Sequence, residues 1–477
     1  MKKKYVRWTL WTIASPFILF IILCILIYLP PIQNFLVDKA AVYASEATGM
    51  NISVGRISLS FPLNLVVTNV DAASPHNDTL LSVRRLQVNV QLLPLLKKQV
   101  EVDGISLQGA TVNSNDLIHG MKLNGTLGEL FISSHGVALD PETAIVNKVL
   151  LKDTDLSLCL NDTAAADTAA SDTAYWKIIL QDIDLQNVSF ALDMPLDSLS
   201  LAASLDNAIL RDGLIDLHKS AYSLQTFRIE NGRVRYDNGK PLAADSLSSG
   251  LDPSHIALTD IGVKLDSLYY GGRNMKAIIS QFVLKERSGV EIVSATGRMV
   301  SNDKVLRVPS LKLETRDSYL ELNAAMDWNA LDFKDEGLVS ARLMADIGKP
   351  DVVRFMGSMD EKFIRQYPSE PLRIRTGIDG DLNKLKLTTL TAELPGALGL
   401  FARGELTHLT DSLLRGGDIT LEAETKDLKF VSTLAEGIEI PYGTRLEGKF
   451  TMAGTKMGTD LLLMQPEAQA VVAILFL

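Results

Sequence analysis

Beyond residue 50 the chain alternates between apolar and polar positions. Leu86, Val88, Val90 and Leu92 take every second place, with Gln87, Asn89 and Gln91 between them. A period of two belongs to a strand with one apolar face and one wet face. The same unit recurs as two short alternating strands around a small polar corner. It appears in ISLQGATVN (105–113), VLLKDTDLSLCL (149–160), IDLQNVSFAL (183–192) and FRIENGRVRY (227–236). Looser copies are IGVKLDSLYY (261–270), LKLETRDSYLEL (311–322), LRIRTGIDGDLNKLKL (372–387) and ITLEAETKDLKF (419–430). The corners hold Gly, Asn and Asp, turn residues that tolerate positive φ. Self-similarity of this kind predicts a mainly β fold, an elongated array of amphipathic, antiparallel-type strands.

Three segments break the period. Trp8–Leu29 is an uncharged run preceded by Lys2, Lys3, Lys4 and Arg7. It is long enough to cross a bilayer as a helix, and its basic flank places the N-terminus in the cytoplasm. A cleaved signal peptide fits less well, because the apolar core is too long and Leu29-Pro30-Pro31 is a poor cleavage context. A short amphipathic helix follows from Ile32 to about Thr48, with Gly49 as its stop. Residues 350–366 (PDVVRFMGSMDEKFIRQ) read as a helix whose Val352, Phe355, Met356, Met359 and Phe363 follow helical spacing. That helix would pack on the sheet as a lid or move as a flap over an apolar groove. Residues 161–174 (NDTAAADTAASDTA) are low in complexity and read as a solvated linker rather than a recognition loop.

The organisation predicted is therefore a cytoplasmic tip (1–7), an anchor (8–30) and a juxtamembrane helix (31–49). A first β-repeat region (50–160), the linker (161–174) and a second β-repeat region (175–349) come next. The helix (350–366), a third β-repeat region (367–464) and an atypical tail (465–477) complete it. All of it after the anchor would lie on the far side of the membrane.

Composition narrows the possible partners. Lys and Arg number 47 against 57 Asp and Glu, a net charge of −10, which does not suit nucleic acid. Cys24 falls in the anchor and Cys159 in a strand, so the two cannot pair. Chemistry-bearing motifs are sparse. His76, His119, His135, His218, His255 and His408 lack metal-ligand spacing, and no phosphate loop or nucleophile elbow is evident. Asp153/Asp155 and Asp182/Asp184 stand at i, i+2 on one strand face, the spacing of an acid–base pair. The apolar residues occupy the opposite face, which turns these acids toward water. No enzyme, cofactor or metal is expected.

An apolar sheet face much above a few hundred Å² needs a cover. A second sheet or bound lipid would each supply one, and alternation suits both.

The order of elements resembles a known family. The carriers are TGMNISVGRISLSFPLNLVVTNV (48–70), then DTLLSVRRLQVNVQLLPLLKKQVEVDGISLQGATVN (78–113), behind the basic tip and membrane helix. Over about residues 1–115 this is similar to the N-terminal part of TamB and its AsmA-like relatives, envelope proteins of bacteria with two membranes. The resemblance implies a curved, taco-like β-groove, apolar inside, anchored in the inner membrane and projecting through the periplasm. It implies carriage of phospholipid toward the outer membrane in support of outer-membrane biogenesis. The alternative it implies is a scaffold for translocation and assembly of outer-membrane proteins beside a BamA-like barrel. The chain departs from the TamB pattern in its shorter length and its C-terminal sequence, LLLMQPEAQAVVAILFL. For a lipid groove the candidate inward positions are Leu86, Val88, Val90, Leu107, Leu185, Phe190, Ile229 and Val234.

Overall fold

A computed structural model describes residues 39–476. Excepted are 40, 43–44, 47–48, 61–63, 75–78, 91–101, 115–119, 139–141, 162–175, 240–249, 333–335, 357–360, 434–439 and 466–467. The tip, the anchor at 8–30 and nearly all of the linker at 161–174 lie outside the described residues. Among the described residues no helix is long and apolar enough to cross a membrane. Residues 39, 41, 42, 45 and 46 of the juxtamembrane segment are helical. Gly49 follows with φ +68°, its N–H donating to the Ser45 carbonyl at 2.9 Å, a left-handed stop that glycine adopts without strain.

The described residues hold 23 strands and few helices. They form two compact units that meet in sequence at Ile209/Leu210. Unit 1 contains β1 (Asn51–Ser60), β2 (Asn64–Ala73), β3 (Thr79–Val90), β4 (Val102–Asn113), β5 (Met121–Ala138), β6 (Thr143–Leu160) and β7 (Lys177–Met194). The boundary falls inside β8 (Leu199–Asp216). Unit 2 continues with β9 (Ala221–Leu224), β10 (Thr226–Asp237), β11 (His255–Gly271), β12 (Asn274–Glu286), β13 (Glu291–Ser301), β14 (Val305–Thr315) and β15 (Tyr319–Asp327). It ends with β16 (Leu338–Ile347), β17 (Leu372–Asp381), β18 (Lys384–Leu394), β19 (Leu398–Thr407), β20 (Gly416–Thr425), β21 (Arg445–Ala453), β22 (Lys456–Gln465) and β23 (Ala468–Phe476). Its helices are α1 (Trp328–Leu331), α2 (Lys349–Phe355) and α3 (Glu361–Gln366).

One pair departs from the antiparallel expectation. β6 and β7 run parallel, with Thr143 opposite Lys177 and Cys159 opposite Asp193. A parallel neighbour needs a connection of a dozen or more residues to bring the chain back. Residues 161–176 supply that length, whereas β11 and β12 are joined by Gly272 and Arg273 alone.

The polar corners are not turns. Each of the four clearest repeats lies within one continuous strand: β4, β6, β7 and β10. The corner residue sits inside that strand with positive φ: Gly109 (+61°), Asp153 (+49°), Asn187 (+52°) and Asn231 (+53°). In unit 1 these residues line up. Gly55, Asn69, Arg84, Gly109, Gly128, Asp153 and Asn187 stand at one level from β1 to β7, and every ladder skips that level. An unpaired residue within a strand reverses the face taken by the side chains after it. The sequence reverses its alternation at the same level. Ile105 and Leu107 precede Gly109, and Ala110 and Val112 follow it; Ile183 and Leu185 precede Asn187, and Val188 and Phe190 follow it. The two reversals cancel, so the apolar residues keep to one face along each strand.

This level is a crease. Its glycines make room for their neighbours: a Cβ on Gly109 would lie 2.5 Å from Arg84 Nη2, and one on Gly128 would lie 2.7 Å from Asp153 Cβ. Burial is tightest in the row beside it, where Val83, Ala110 and Thr154 retain 5%, 9% and 2% of their exposure.

Unit 2 is built differently at its strand ends. Phe363 on α3, Tyr367 and Phe430 form an aromatic trio with ring centroids 5.5, 5.8 and 5.2 Å apart. They pack with Leu394, Ala397 and Leu428, and with Leu372 and Leu398 at the strand ends. At the opposite ends Ala330, Val339 and Leu382 cluster with Met326, Ile378, Leu385 and Leu409.

The helical face expected over 350–366 is corrected here. Val352 and Phe363 join the aromatic cluster, but Phe355 and Met356 are exposed, and Met359 lies outside the described residues. Polar contacts anchor α2 instead of an apolar stripe. Asp351 is fully buried and accepts hydrogen bonds from Thr315 Oγ1, from Ser318 Oγ at 2.6 Å and from Arg354 Nη1 at 3.0 Å. Arg354 Nη1 also reaches Asp317 Oδ2 at 2.7 Å, which ties α2 to the β14–β15 turn.

Candidate functional site

The crease and the register together arrange the apolar side chains of unit 1 into rows that cross the strands. Residues directly opposite one another on paired strands share a face. One row runs Ile57, Val67, Leu86, Leu107, Leu130, Leu151 and Leu185, a single residue from each of β1 to β7. The next runs Leu65, Val88, Ile105, Ile132, Val149 and Ile183, from β2 to β7. Every member of the first row is half-buried, and Ile105 in the second is exposed at 38%. Seven strands at about 4.8 Å spacing make the first row about 29 Å long. Between the first row and the crease lies a wholly polar one: Arg56, Thr68, Arg85, Gln108, Glu129, Lys152 and Gln186.

Of the positions singled out from sequence, Leu86, Leu107 and Leu185 share one row, and Val88 falls in the next. Val90 pairs with Val102 through its backbone; its side chain lies outside the described residues. Phe190 is across the crease, opposite Leu156 and 39% exposed. Ile229 and Val234 belong to unit 2, opposite Val263 and Leu258, and both are half-buried. The alternation reading did not single out Leu130 and Leu151, which complete the first row. Their segments, GELFISS and KVLLK, carry neighbouring apolar residues that blur a period of two.

The same logic holds without left-handed non-glycine residues in β17 to β21 of unit 2. Ile374, Ala392, Leu400, Ala423 and Leu446 form a row across β17 to β21. Thr376, Leu390, Ala402, Leu421 and Gly448 form the adjacent one. The opposite face of these strands is charged. A shallow depression of about 530 Å³ there is lined by Glu393, Glu422, Glu424, Arg445 and Glu447.

Of the acids considered for chemistry, Asp153 and Asp155 are engaged across strands. Asn187 Nδ2 donates to Asp153 Oδ1 at 2.8 Å, and Ser189 Oγ donates to Asp155 Oδ2. Each carboxylate thus ties β6 to its parallel neighbour. Among the described residues no group of three His, Cys, Asp or Glu could hold a metal ion. Among the described residues His255 is a buried histidine, with 7% of its surface exposed. Its Nδ1 lies 2.8 Å from Asp252 Oδ2 and its Nε2 3.6 Å from Asp237 Oδ1. The His255 hydrogen bond, helped by the Ser254 N–H, holds the Asp252 carboxyl below the usual carboxylate range. Asp237 and His255 are the last pair of the β10–β11 ladder, so this cluster fastens the end of a hairpin.

The chain matches no family model, and no curated protein matches it.

Proposed function

We propose that the chain is an inner-membrane-anchored periplasmic protein that carries phospholipid toward the outer membrane along the apolar face of a β-groove. The reading joins the resemblance of residues 1–115 to the TamB and AsmA-like proteins with the layout of the strands. The observation that carries it is the pair of apolar rows, one crossing seven strands and the other six, with their side chains half-buried or exposed. A protein layer packed on such rows would bury them. Acyl chains shield them while remaining mobile, at about 0.8 kcal/mol for each CH₂ kept from water. No catalytic group is required.

Transfer of a fluorescent phospholipid between donor and acceptor vesicles tests this with the full chain. Leu86→Glu, Leu107→Glu and Leu185→Glu together put three carboxylates into one row, and the transfer rate should fall about tenfold or more. Gln87→Glu, Gln108→Glu and Gln186→Glu serve as the matched control on polar positions and should leave it unchanged. Wild-type transfer by a folded row variant would overturn the proposal, and the scaffold for outer-membrane protein assembly would then lead.

A further inference from the structure

The polar face of β1 to β4 carries an arginine cluster that the apolar rows do not use. The register places Arg56 on β1, Thr68 on β2, Arg85 on β3 and Gln108 on β4 in one row. Successive strand residues take opposite faces, so this row looks away from its neighbours Ile57, Val67, Leu86 and Leu107. Arg56 and Arg85 are two strands apart, about 9.6 Å. Each side chain has to cover only half of that gap for the guanidinium groups to meet over Thr68, and a stem of three methylenes does so.

The crease supplies two more donors. Asn69 on β2 and Arg84 on β3 stand at one level, and each lies over a glycine of the next strand. A Cβ on Gly109 would lie 2.5 Å from Arg84 Nη2, 2.7 Å from Nε and 2.8 Å from Cζ. Three atoms of one plane at nearly equal distance put that plane face-on against the glycine, and its N–H edges stay open. A Cβ on Gly55 would lie 3.4 Å from Asn69 Nδ2.

These donors have few partners. Among the described residues none of the three arginines is ion-paired, and the side chains of Arg56, Thr68, Asn69 and Arg84 make no hydrogen bond. Arg85 Nη2 donates to Gln87 Oε1 at 3.2 Å, a neutral acceptor. β1 to β3 contain one acid, Asp71, which lies across the crease between Ser53 and Ser82. In unit 2 Arg273, Arg354 and Arg375 each reach a carboxylate oxygen within 2.8 Å. The chain carries a net charge of −10, yet β1 to β3 collect three guanidinium groups without carboxylates to pair them.

The chemistry of the cluster names an oxyanion. A carboxylate is planar, and one guanidinium fork satisfies it. Here donors from three strands surround one hydroxyl, which suits the several oxygens of a tetrahedral phosphate.

We propose that Arg56, Arg84 and Arg85, with Thr68 and Asn69, form a binding site for a phosphate group. A phospholipid headgroup and a free phosphate share that chemistry. The site lies on the face opposite the apolar rows and does not depend on the carrier reading.

The test is phosphorus NMR of inorganic phosphate, or of dioleoyl phosphatidate, added to the full chain in dodecyl maltoside micelles. Inorganic phosphate has no acyl chain and reads the site alone. Both signals should broaden on binding. Arg56→Gln, Arg84→Gln and Arg85→Gln together should weaken both interactions by about tenfold or more. Arg228→Gln, Arg233→Gln and Arg235→Gln on β10 remove the same charge and should change neither. Arg56→Lys, Arg84→Lys and Arg85→Lys keep the charge without the forks, and should keep less than about a third of the affinity. No broadening of either signal, or equal binding by the glutamine variant, would overturn the site. Full affinity in the lysine variant would also overturn it and leave attraction to positive charge alone. Phosphatidate held tighter than inorganic phosphate through the arginines identifies a lipid headgroup as the source, and equal affinity identifies free phosphate. Phosphatidate that is indifferent to the arginines and is displaced by dioleoylglycerol, which has the same chains and no phosphate, would overturn this site while supporting the carrier reading.

Discussion

The two units keep an apolar face in different ways. Unit 1 uses long strands, β5, β6 and β7 being 18 residues each, and folds every one along a shared crease of Gly, Asn, Arg and Asp. From β13 onward unit 2 uses strands of 9 to 11 residues with no non-glycine left-handed residue inside them. Its apolar strip is bounded by side-chain clusters at the strand ends. A crease demands particular backbone conformations at particular residues; a walled strip demands packing. Substitutions should therefore hurt the two units through different physics.

The largest effect is expected in the wall. Phe363→Ala removes a side chain with 1% exposure from the centre of the aromatic trio. Unfolding in urea should show unit 2 destabilised by about 3–5 kcal/mol, the cost of an unfilled core cavity. Unit 1, followed by hydrogen exchange of its crease amides, should be unchanged.

Next come paired glycine substitutions that set the crease of unit 1 against an apolar row of unit 2. Gly109→Val puts a branched side chain at φ +61° and into the Arg84 guanidinium, and should cost about 2–3 kcal/mol. Gly448→Ala presses on the flexible tip of Leu461 and makes ordinary contact with the Phe450 ring, at an ordinary strand φ, and should cost under about 1 kcal/mol. Equal costs would mean that the crease carries no special backbone demand.

The smallest effect is one of pH. The depressed Asp252 carboxyl stabilises the fold while it is ionised. Its contribution is present above the ordinary carboxylate range and is lost as pH falls through its folded value. Acid titration followed at the β10–β11 hairpin should show an early loosening that Asp252→Asn abolishes. Crease amides in unit 1 should not report it.

Much of this fold is legible in the sequence. The alternation finds the strands, and the Gly, Asn and Asp of the corners mark the left-handed positions. What alternation misread was their meaning. A change of parity at Gly109 or Asn187 looks like the end of one strand and the start of another. Only the register, with Asn69, Gly109 and Asp153 at one level, shows a single strand bent in place. The parallel pairing of β6 with β7 was hidden for a related reason: residues 161–174 read as a linker, and composition does not say where a linker returns. The rows of the candidate site are long-range objects. Leu107 and Leu185 are 78 positions apart in the chain, and nothing local connects them. The polar anchoring of α2 by Asp351 was equally out of reach, since its partners Thr315 and Ser318 lie on a turn far upstream.

The measurement closest to the central claim is mass spectrometry of lipid retained by the full chain after gentle detergent extraction. Retained phospholipid in stoichiometric amount, lost on introducing Leu86→Glu, Leu107→Glu and Leu185→Glu together, is the result this account predicts. A folded, monodisperse protein that carries no lipid would contradict it, and the apolar rows would then have to be covered by protein.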